Sequence, residues 1–191
     1  MKKNFINAIF LFVLLSASTI ANAQKDYVVS LTGNTLIGNI KAPLFGPLKF
    51  IANEGKQKVD ISIKEHLSYY TSKDSTAYIA VSIPLKNSPV FLHRLENGKV
   101  QLVVYYITHV GANGIGTSQT FWYAIKDNGK PLDVKASSLL GSRKERENNF
   151  YGIIGDYPEL LEDFKNEKSY SFEMIRSYIK KYNYYYKYLK K

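Results

Sequence analysis

Residues 26–135 alternate between apolar and polar side chains, and turn-forming pairs interrupt this alternation at short, fairly regular intervals. The clearest stretch is Lys58 to Lys64, where Val59, Ile61 and Ile63 fall on one side of an extended chain. A period of two is the pattern of a half-buried strand, so a strand is predicted over 58–64. Nothing in this region has the helical period and caps that a parallel βαβ arrangement requires.

The same criteria predict eight further strands and the turns between them. These strands are Tyr27–Thr32, Thr35–Lys41, Leu48–Ala52, Thr76–Ile83, Val90–Leu95, Val100–Thr108, Thr120–Lys126 and Leu132–Lys135. Gly33-Asn34, Asn97-Gly98 and Asn128-Gly129 are predicted to be two-residue hairpin loops, because glycine and asparagine tolerate a positive φ. The sequence therefore predicts an antiparallel meander of about nine strands, arranged as a sandwich or a partly open barrel.

The pattern changes to a helical one after Ser137. Helices are predicted at 143–155, 158–167 and 171–190, with Pro158 in the opening turn of the second and Ser171 as the N-cap of the third. Strands followed by helices in blocks are typical of an α+β fold. Residues 24–191 are therefore predicted to form one domain, with a β region at 24–137 and a helical region at 138–191.

The first 23 residues are predicted to be a cleavable signal peptide. Two N-terminal lysines precede a short apolar segment, Ile9–Leu15, and the small-residue motif Ala21-Asn22-Ala23 follows. Cleavage after this motif would leave Gln24 as the new N-terminus. A membrane anchor would need about 20 apolar residues, and polar residues from Ser16 onwards interrupt the segment too early.

The chain contains no cysteine. A lipoprotein anchor of the bacterial type, a disulfide and a thiolate metal site are therefore excluded. Exported eukaryotic domains of this size usually carry disulfides, so the sequence favours a bacterial protein of the periplasm, the outer-membrane periphery or the extracellular space. The net charge of +10 favours an anionic envelope polymer or a membrane surface as partner rather than nucleic acid. No transmembrane segment is expected in the mature chain.

Several motifs resemble those of uncharacterised secreted proteins of Gram-negative bacteria. The resemblance rests on Asp26-Tyr27-Val28-Val29 followed by the segment Gly33–Lys41, and on the segments Phe91–Gly98, Gly141–Lys144 and Ile175–Asn183. It covers most of the predicted mature chain. It implies export and a fold, but no known activity.

The three histidines do not form an evident catalytic set. Pairing strands across Asn97-Gly98 places His93 opposite Leu102, and His109 on the other face of the sheet. His93 is therefore predicted to lie at the edge of an apolar face, hydrogen-bonded to the backbone. No metalloprotease or nucleophile-elbow motif occurs, and the glycine-rich segment 111–116 lacks the ending of a phosphate-binding loop. No catalytic residue, metal site or cofactor is predicted.

The C-terminal segment Lys180–Lys191 holds five lysines and five tyrosines in twelve residues. On a helical wheel one stripe is predicted to be buried against the sheet. This stripe comprises Ile175, Tyr178, Ile179, Tyr182, Tyr185, Tyr186 and Leu189. The opposite face is the candidate binding site, and it comprises Lys180, Tyr184, Lys187, Tyr188 and Lys191. Lysines interleaved with exposed aromatic rings are typical of surfaces that bind anionic polymers, sugars or headgroups. The alternative is a solvated helix end whose lysines interact with the helix dipole.

The sequence thus favours an exported, non-enzymatic binding or assembly module of the cell envelope. The alternative is an enzyme with a dispersed active site that involves His93 or His109. A cleft that joins either histidine to a carboxylate within hydrogen-bond reach would distinguish the two. The oligomeric state is not indicated.

Overall fold

The structure, a computed structural model, describes residues 24–53, 55, 58–110, 116–137 and 141–190. Within these residues it confirms the α+β fold, with ten strands in one antiparallel sheet followed by three α-helices and a short π-helix. The predicted signal peptide lies outside the described residues. The strands are β1 Asp26–Ser30, β2 Thr35–Lys41, β3 Lys49–Ala52, β4 Lys58–Asp60, β5 His66–Thr71, β6 Thr76–Val81, β7 Val90–Glu96, β8 Val100–Val110, β9 Gly116–Lys126 and β10 Leu132–Ala136. The helices are α1 Arg143–Ile154, α2 Pro158–Lys165 and α3 Phe172–Tyr184, and the π-helix is Tyr185–Leu189.

The strands form a meander with one interruption. Their order is β10-β9-β8-β7-β6-β5-β1-β2-β3-β4, so β5 pairs with β1 instead of β4. Val28 of β1 accordingly lies opposite Leu36 on one side and Tyr69 on the other. The sheet is not closed, since β4 and β10 are its two edge strands. The sequence predicted either a sandwich or a partly open barrel. The described strands instead form one sheet that does not close.

Strand β5 was not predicted because it lacks alternation. His66, Tyr69 and Tyr70 are all buried, although an alternating strand would bury only every second residue. Tyr69 stacks on the Tyr78 ring on one face of the sheet, and Tyr70 stacks on the Tyr27 ring on the other. This burial on both sides removes the period-two signal.

The strand predicted at Lys58–Lys64 is shorter in the structure and ends at Asp60. Ile61 still packs into the core and its N–H donates to the carbonyl of Leu48 at 2.8 Å. The chain then turns, and the N–H of His66 donates to the carbonyl of Ser62 at 2.9 Å. The alternation therefore continues for only one residue beyond the strand.

Two of the predicted hairpin turns lie earlier in the chain than predicted, the first as a three-residue loop and the last shifted by one residue. The first loop is Leu31–Gly33, because the N–H of Ser30 donates to the carbonyl of Asn34 at 2.9 Å and Gly33 takes a φ of +84°. The last turn has its positive φ angles at Asp127 and Asn128 rather than at Asn128 and Gly129. Asparagine and aspartate tolerate this conformation better than other residues with a side chain.

The β7–β8 hairpin has a different register from the prediction. His93 lies opposite Val104 rather than Leu102, and a bulge near Glu96 shifts the pairing before the loop. The error at His93 is two residues, and a shift by two leaves every side chain on its predicted face. His93 and His109 therefore lie on opposite faces, as predicted. The positive φ expected at Gly98 is not observed.

The helices cover one face of the C-terminal half of the sheet. Leu102 and Ala124 point to this side and pack against Ile175 of α3 in the largest apolar cluster. Val103 and Tyr123 point to the other face, where they belong to a second cluster with residues of β6 and β7. A third cluster in the N-terminal half comprises Val28, Phe50, Ile61 and Tyr69.

Serine side chains fix where α1 and α3 begin. The hydroxyl of Ser142 accepts from the N–H of Glu145 at 3.3 Å, and that of Ser171 accepts from the N–H of Met174 at 3.1 Å. Each hydroxyl satisfies one of the amides that a helix start leaves without an intrahelical partner. The predicted N-cap at Ser171 is confirmed.

Candidate functional site: the C-terminal groove

The last helix is fixed to the sheet by buried side chains and one amide. Three side chains of α3 are fully buried against the sheet: Ile175, Ile179 and Tyr182. The next residue is Asn183, whose side-chain amide accepts from the N–H of Val100 and donates to its carbonyl, both at 2.8 Å. Paired strands exchange the same two bonds, so this side chain acts as a backbone partner at the start of β8.

Gly98 makes this approach possible. A Cβ atom at this position would lie 2.5 Å from Cγ of Asn183. Glycine is therefore required here by space and not by its φ angle. The contact brings the end of α3 against the β7–β8 loop, residues Asn97–Lys99.

Asp156, in the turn between α1 and α2, is a second anchor for the C-terminal segment. Its carboxylate accepts from the ammonium of Lys126 at 2.7 Å, from the Tyr182 hydroxyl at 2.8 Å and from the Tyr186 hydroxyl at 2.7 Å. Partial burial alone would raise the pKa of Asp156, but these three hydrogen bonds hold it at about 2. The carboxylate thus stays ionised and connects β9 to the end of the chain.

Beyond Tyr184 the helix widens into the π-helix, in which the N–H of Lys190 donates to the carbonyl of Tyr185 at 2.9 Å. The predicted helical wheel assumed 3.6 residues per turn, and the wider turn rotates the last side chains away from it. Leu189, predicted to be buried, is 60% exposed. That prediction was wrong. Tyr185 instead stacks on Tyr157, with the ring centroids 3.9 Å apart.

A groove of about 550 Å³ separates the β7–β8 loop from the C-terminal segment. We call it the C-terminal groove, and it is lined by Asn97, Gly98, Lys99, Asn183, Tyr184, Tyr186, Lys187 and Tyr188. The Tyr184 and Tyr188 rings are both more than half exposed, and their centroids lie 4.9 Å apart. The groove therefore presents aromatic surface to solvent.

Two lysines flank these rings. The Lys187 ammonium lies 4.9 Å from the centroid of the Tyr188 ring. A hydrogen bond to the Tyr188 hydroxyl raises the pKa of Lys187, so it stays protonated. The Lys99 ammonium lies 4.8 Å from the Tyr186 ring, and the Asp127 carboxylate at 3.0 Å partly neutralises it.

The structure brings three of the five predicted site residues together in this groove: Tyr184, Lys187 and Tyr188. Lys180 does not line it, because its ammonium lies 3.5 Å from the Glu96 carboxylate, which also pairs with Arg176. Lys180 lines a neighbouring groove instead, and Tyr184 borders both. Lys191 lies outside the described residues.

Sequence reasoning missed the second wall of the groove, which includes Asn97 and Lys99. The two walls are more than eighty residues apart in sequence, as the Asn183 to Val100 bond illustrates. No local pattern near Lys99 distinguishes it from an ordinary hairpin lysine. Only the docking of α3 assigns it to the groove.

The histidines remain apart. Among the described residues, the His93 imidazole contacts the Tyr78 ring at a centroid distance of 5.7 Å and makes no hydrogen bond, so the predicted bond from the side chain to the backbone is not formed. Burial lowers the pKa of His93; Asp74 opposes this shift and Arg176 adds to it. No hydrogen bond between described residues joins His93 or His109 to a carboxylate.

Two other features bear on function: a membrane-spanning helix and a metal site. None of the described helices combines the length and the apolar character that crossing a membrane demands. The histidine and acidic side chains of the described residues nowhere converge as a set of three or more potential metal ligands.

Comparison with known proteins adds no further constraint. No protein-family model, no curated protein and no solved structure matches the chain. The candidate site therefore rests on its own geometry and electrostatics.

Proposed function

We propose that this protein is an exported, non-enzymatic binding module that holds an anionic, sugar-containing polymer of the cell envelope in the C-terminal groove. The observation that carries the proposal is the exposed pair of rings, Tyr184 and Tyr188, beside the protonated Lys187. The predicted signal peptide at residues 1–23 supports the envelope as the site of action.

The groove supplies two complementary kinds of contact. A phosphate or carboxylate of the polymer would pair with the Lys187 ammonium, which has no carboxylate within 4.0 Å among the described residues. The negative faces of the Tyr184 and Tyr188 rings attract the C–H edges of a sugar ring. Neutral sugars would lack the first contact, and simple anions would lack the second.

The expected affinity for a single repeat unit is low. A lysine near an anionic surface contributes about 1 kcal/mol, so Lys187 and the partly neutralised Lys99 together correspond to a dissociation constant of tens of millimolar at best. The ring contacts add to this. Useful binding therefore requires a polymer, whose many repeat units raise the effective concentration at the groove.

The test uses polygalacturonate as a carboxylate-bearing sugar polymer, polyphosphate as a polyanion without sugar and dextran as a neutral sugar polymer. Binding is measured by isothermal titration calorimetry on the mature protein at about 20 and 200 mM salt, because the shorter Debye length at high salt weakens charge contacts. We expect polygalacturonate to bind more tightly than the other two polymers. Its affinity should fall at high salt but stay above that of dextran at both salt concentrations.

Lys187→Gln and Tyr188→Ala should each weaken the binding of polygalacturonate. Lys144→Gln is the matched control, since Lys144 is an exposed lysine on α1 and its replacement removes the same charge. The proposal is rejected if the parent fails to bind polygalacturonate at low salt. It is also rejected if Lys144→Gln weakens binding as much as Lys187→Gln does.

A further inference from the structure

The loop between β2 and β3 presents two adjacent apolar side chains to solvent. Leu44 and Phe45 are 96% and 92% exposed, the highest values among the exposed large apolar residues of the described chain. Pro43 and Pro47 flank them, and Gly46 takes a φ of +92°. We call Leu44 and Phe45 the loop tip. A folded protein seldom leaves such a pair in water without a partner for it.

The base of this loop is held firmly. Lys41 and Lys49 are cross-strand neighbours where the loop begins and ends, and Leu48 packs on the third apolar cluster. The Asp26 carboxylate accepts from the N–H of Ile40 at 2.6 Å and from the N–H of Ser72 at 2.7 Å. These bonds join the start of β1, the end of β2 and the β5–β6 turn, which all lie at the same end of the sheet. The loop tip projects from that end.

Two lysines at this end of the sheet have no carboxylate partner. Lys41 and Lys73 are exposed and have no carboxylate within 4.0 Å among the described residues, whereas Lys49 pairs with Asp60. Lys41 lies where the loop begins, and Lys73 lines a pocket together with Leu48, where the loop ends. Two ammonium groups therefore lie near the base of the loop tip.

We propose that the loop tip inserts into a phospholipid surface, with Leu44 and Phe45 below the phosphates and Lys41 and Lys73 in contact with them. Leu44 is three residues beyond Lys41, a reach of at most about 10 Å. Apolar side chains of interfacial elements penetrate about 5 to 10 Å below the headgroups, so the lysines are at the correct height. A fluid surface can close around a protruding tip, whereas a protein partner would need a matching cavity. This proposal rests on different residues from the C-terminal groove and is independent of it.

Sedimentation with vesicles tests the insertion. The vesicles are made of phosphatidylcholine alone or of phosphatidylcholine with phosphatidylglycerol. Leu44→Ser and Phe45→Ser should each lower partitioning into both kinds by about tenfold, the change expected when a large buried apolar side chain is lost. Lys41→Gln and Lys73→Gln should each lower only the preference for anionic vesicles, by about fivefold.

Leu85→Ser is the matched control. Leu85 is also exposed, but it lies in the β6–β7 loop. This loop is at the opposite end of the sheet, because β6 runs away from the β5–β6 turn. Leu85→Ser should therefore partition like the parent. The proposal is overturned if the Leu44→Ser/Phe45→Ser double variant partitions like the parent. It is also overturned if Lys187→Gln abolishes partitioning while Phe45→Ser does not, since binding would then belong to the C-terminal groove.

A Phe45→Trp variant gives a second, direct measurement. The only tryptophan of the chain, Trp122, is buried and contributes a constant background. Insertion should shift the emission of the new indole to shorter wavelength and expose it to quenching by brominated lipid chains. An unchanged spectrum in the presence of saturating anionic vesicles would contradict insertion.

Discussion

Replacing Asn183 with alanine should cost the folded protein about 2 kcal/mol. The substitution removes both hydrogen bonds to Val100, whose backbone N–H and carbonyl are buried beneath α3. Each buried polar group left without a partner costs about 1 to 3 kcal/mol, and access of water from the adjacent groove places both at the lower end. For a domain of this size the loss corresponds to a fall in Tm of about 4 to 8 °C.

Urea unfolding of the mature protein, followed by circular dichroism, measures this loss. Asn149→Ala is the matched control, because the Asn149 amide donates one bond, to the carbonyl of Asp133 at 2.9 Å. It should cost about half as much as Asn183→Ala. An Asn183→Ala variant as stable as the parent would mean that the amide does not complete the start of β8.

A double-mutant cycle with Gly98 tests the same contact from the other side. Gly98→Ala should displace the Asn183 amide and destabilise the protein by a similar amount, about 2 kcal/mol. In the Asn183→Ala background the added methyl group has room, so the second substitution should cost little. Additive losses would refute the argument and would favour a backbone origin for the glycine requirement.

Asp156→Asn should destabilise the protein at neutral pH by about 1 kcal/mol, a value reduced because the Asp156 side chain is 41% exposed and partly screened. Its folded pKa of about 2 lies below the ordinary 3.8, so the difference from the parent should shrink in urea titrations as pH falls below 3.8 and disappear only below about 2. In the same urea titrations Gly38→Ala should destabilise the protein by at least about 2 kcal/mol, since a Cβ there would overlap the Ile51 carbonyl. Gly152→Ala should stabilise α1 slightly, because the space around Gly152 is open and alanine favours a helix. N-terminal sequencing of the protein exported by a bacterial host should begin at Gln24; retention of Met1 would contradict the signal peptide.

The elements that the sequence predicted correctly are those with a local cause. Ser171 begins α3 because its hydroxyl caps an amide three residues along, and that signal is visible in the sequence alone. The alternation of β7 and β8 likewise placed His93 and His109 on their correct faces. A wrong register at Asn97-Gly98 did not disturb this, because the error was an even number of residues.

The elements that it missed depend on distant neighbours. Tyr69 and Tyr70 of β5 face opposite sides of the sheet and are buried, because aromatic rings of the neighbouring strands β6 and β1 stack on them. No local pattern encodes these contacts. The π-helix at Tyr185–Leu189 accompanies the stacking of Tyr185 on Tyr157, the residue that immediately precedes α2. Of the candidate site, the sequence therefore identified one wall, including Lys187, and could not identify Lys99 opposite it.

The position of α3 also determines when the protein can finish folding. Val100 and Leu102 lie on a strand near the middle of the chain, yet Ile175 and Ile179, near its end, pack in the same cluster. Until α3 is available this side of β8 lies open to solvent, and exposed strands of this kind are prone to aggregate. A chain truncated before Phe172 would keep every strand and still lack this part of its core. Residues made after every described strand thus complete this part of the fold.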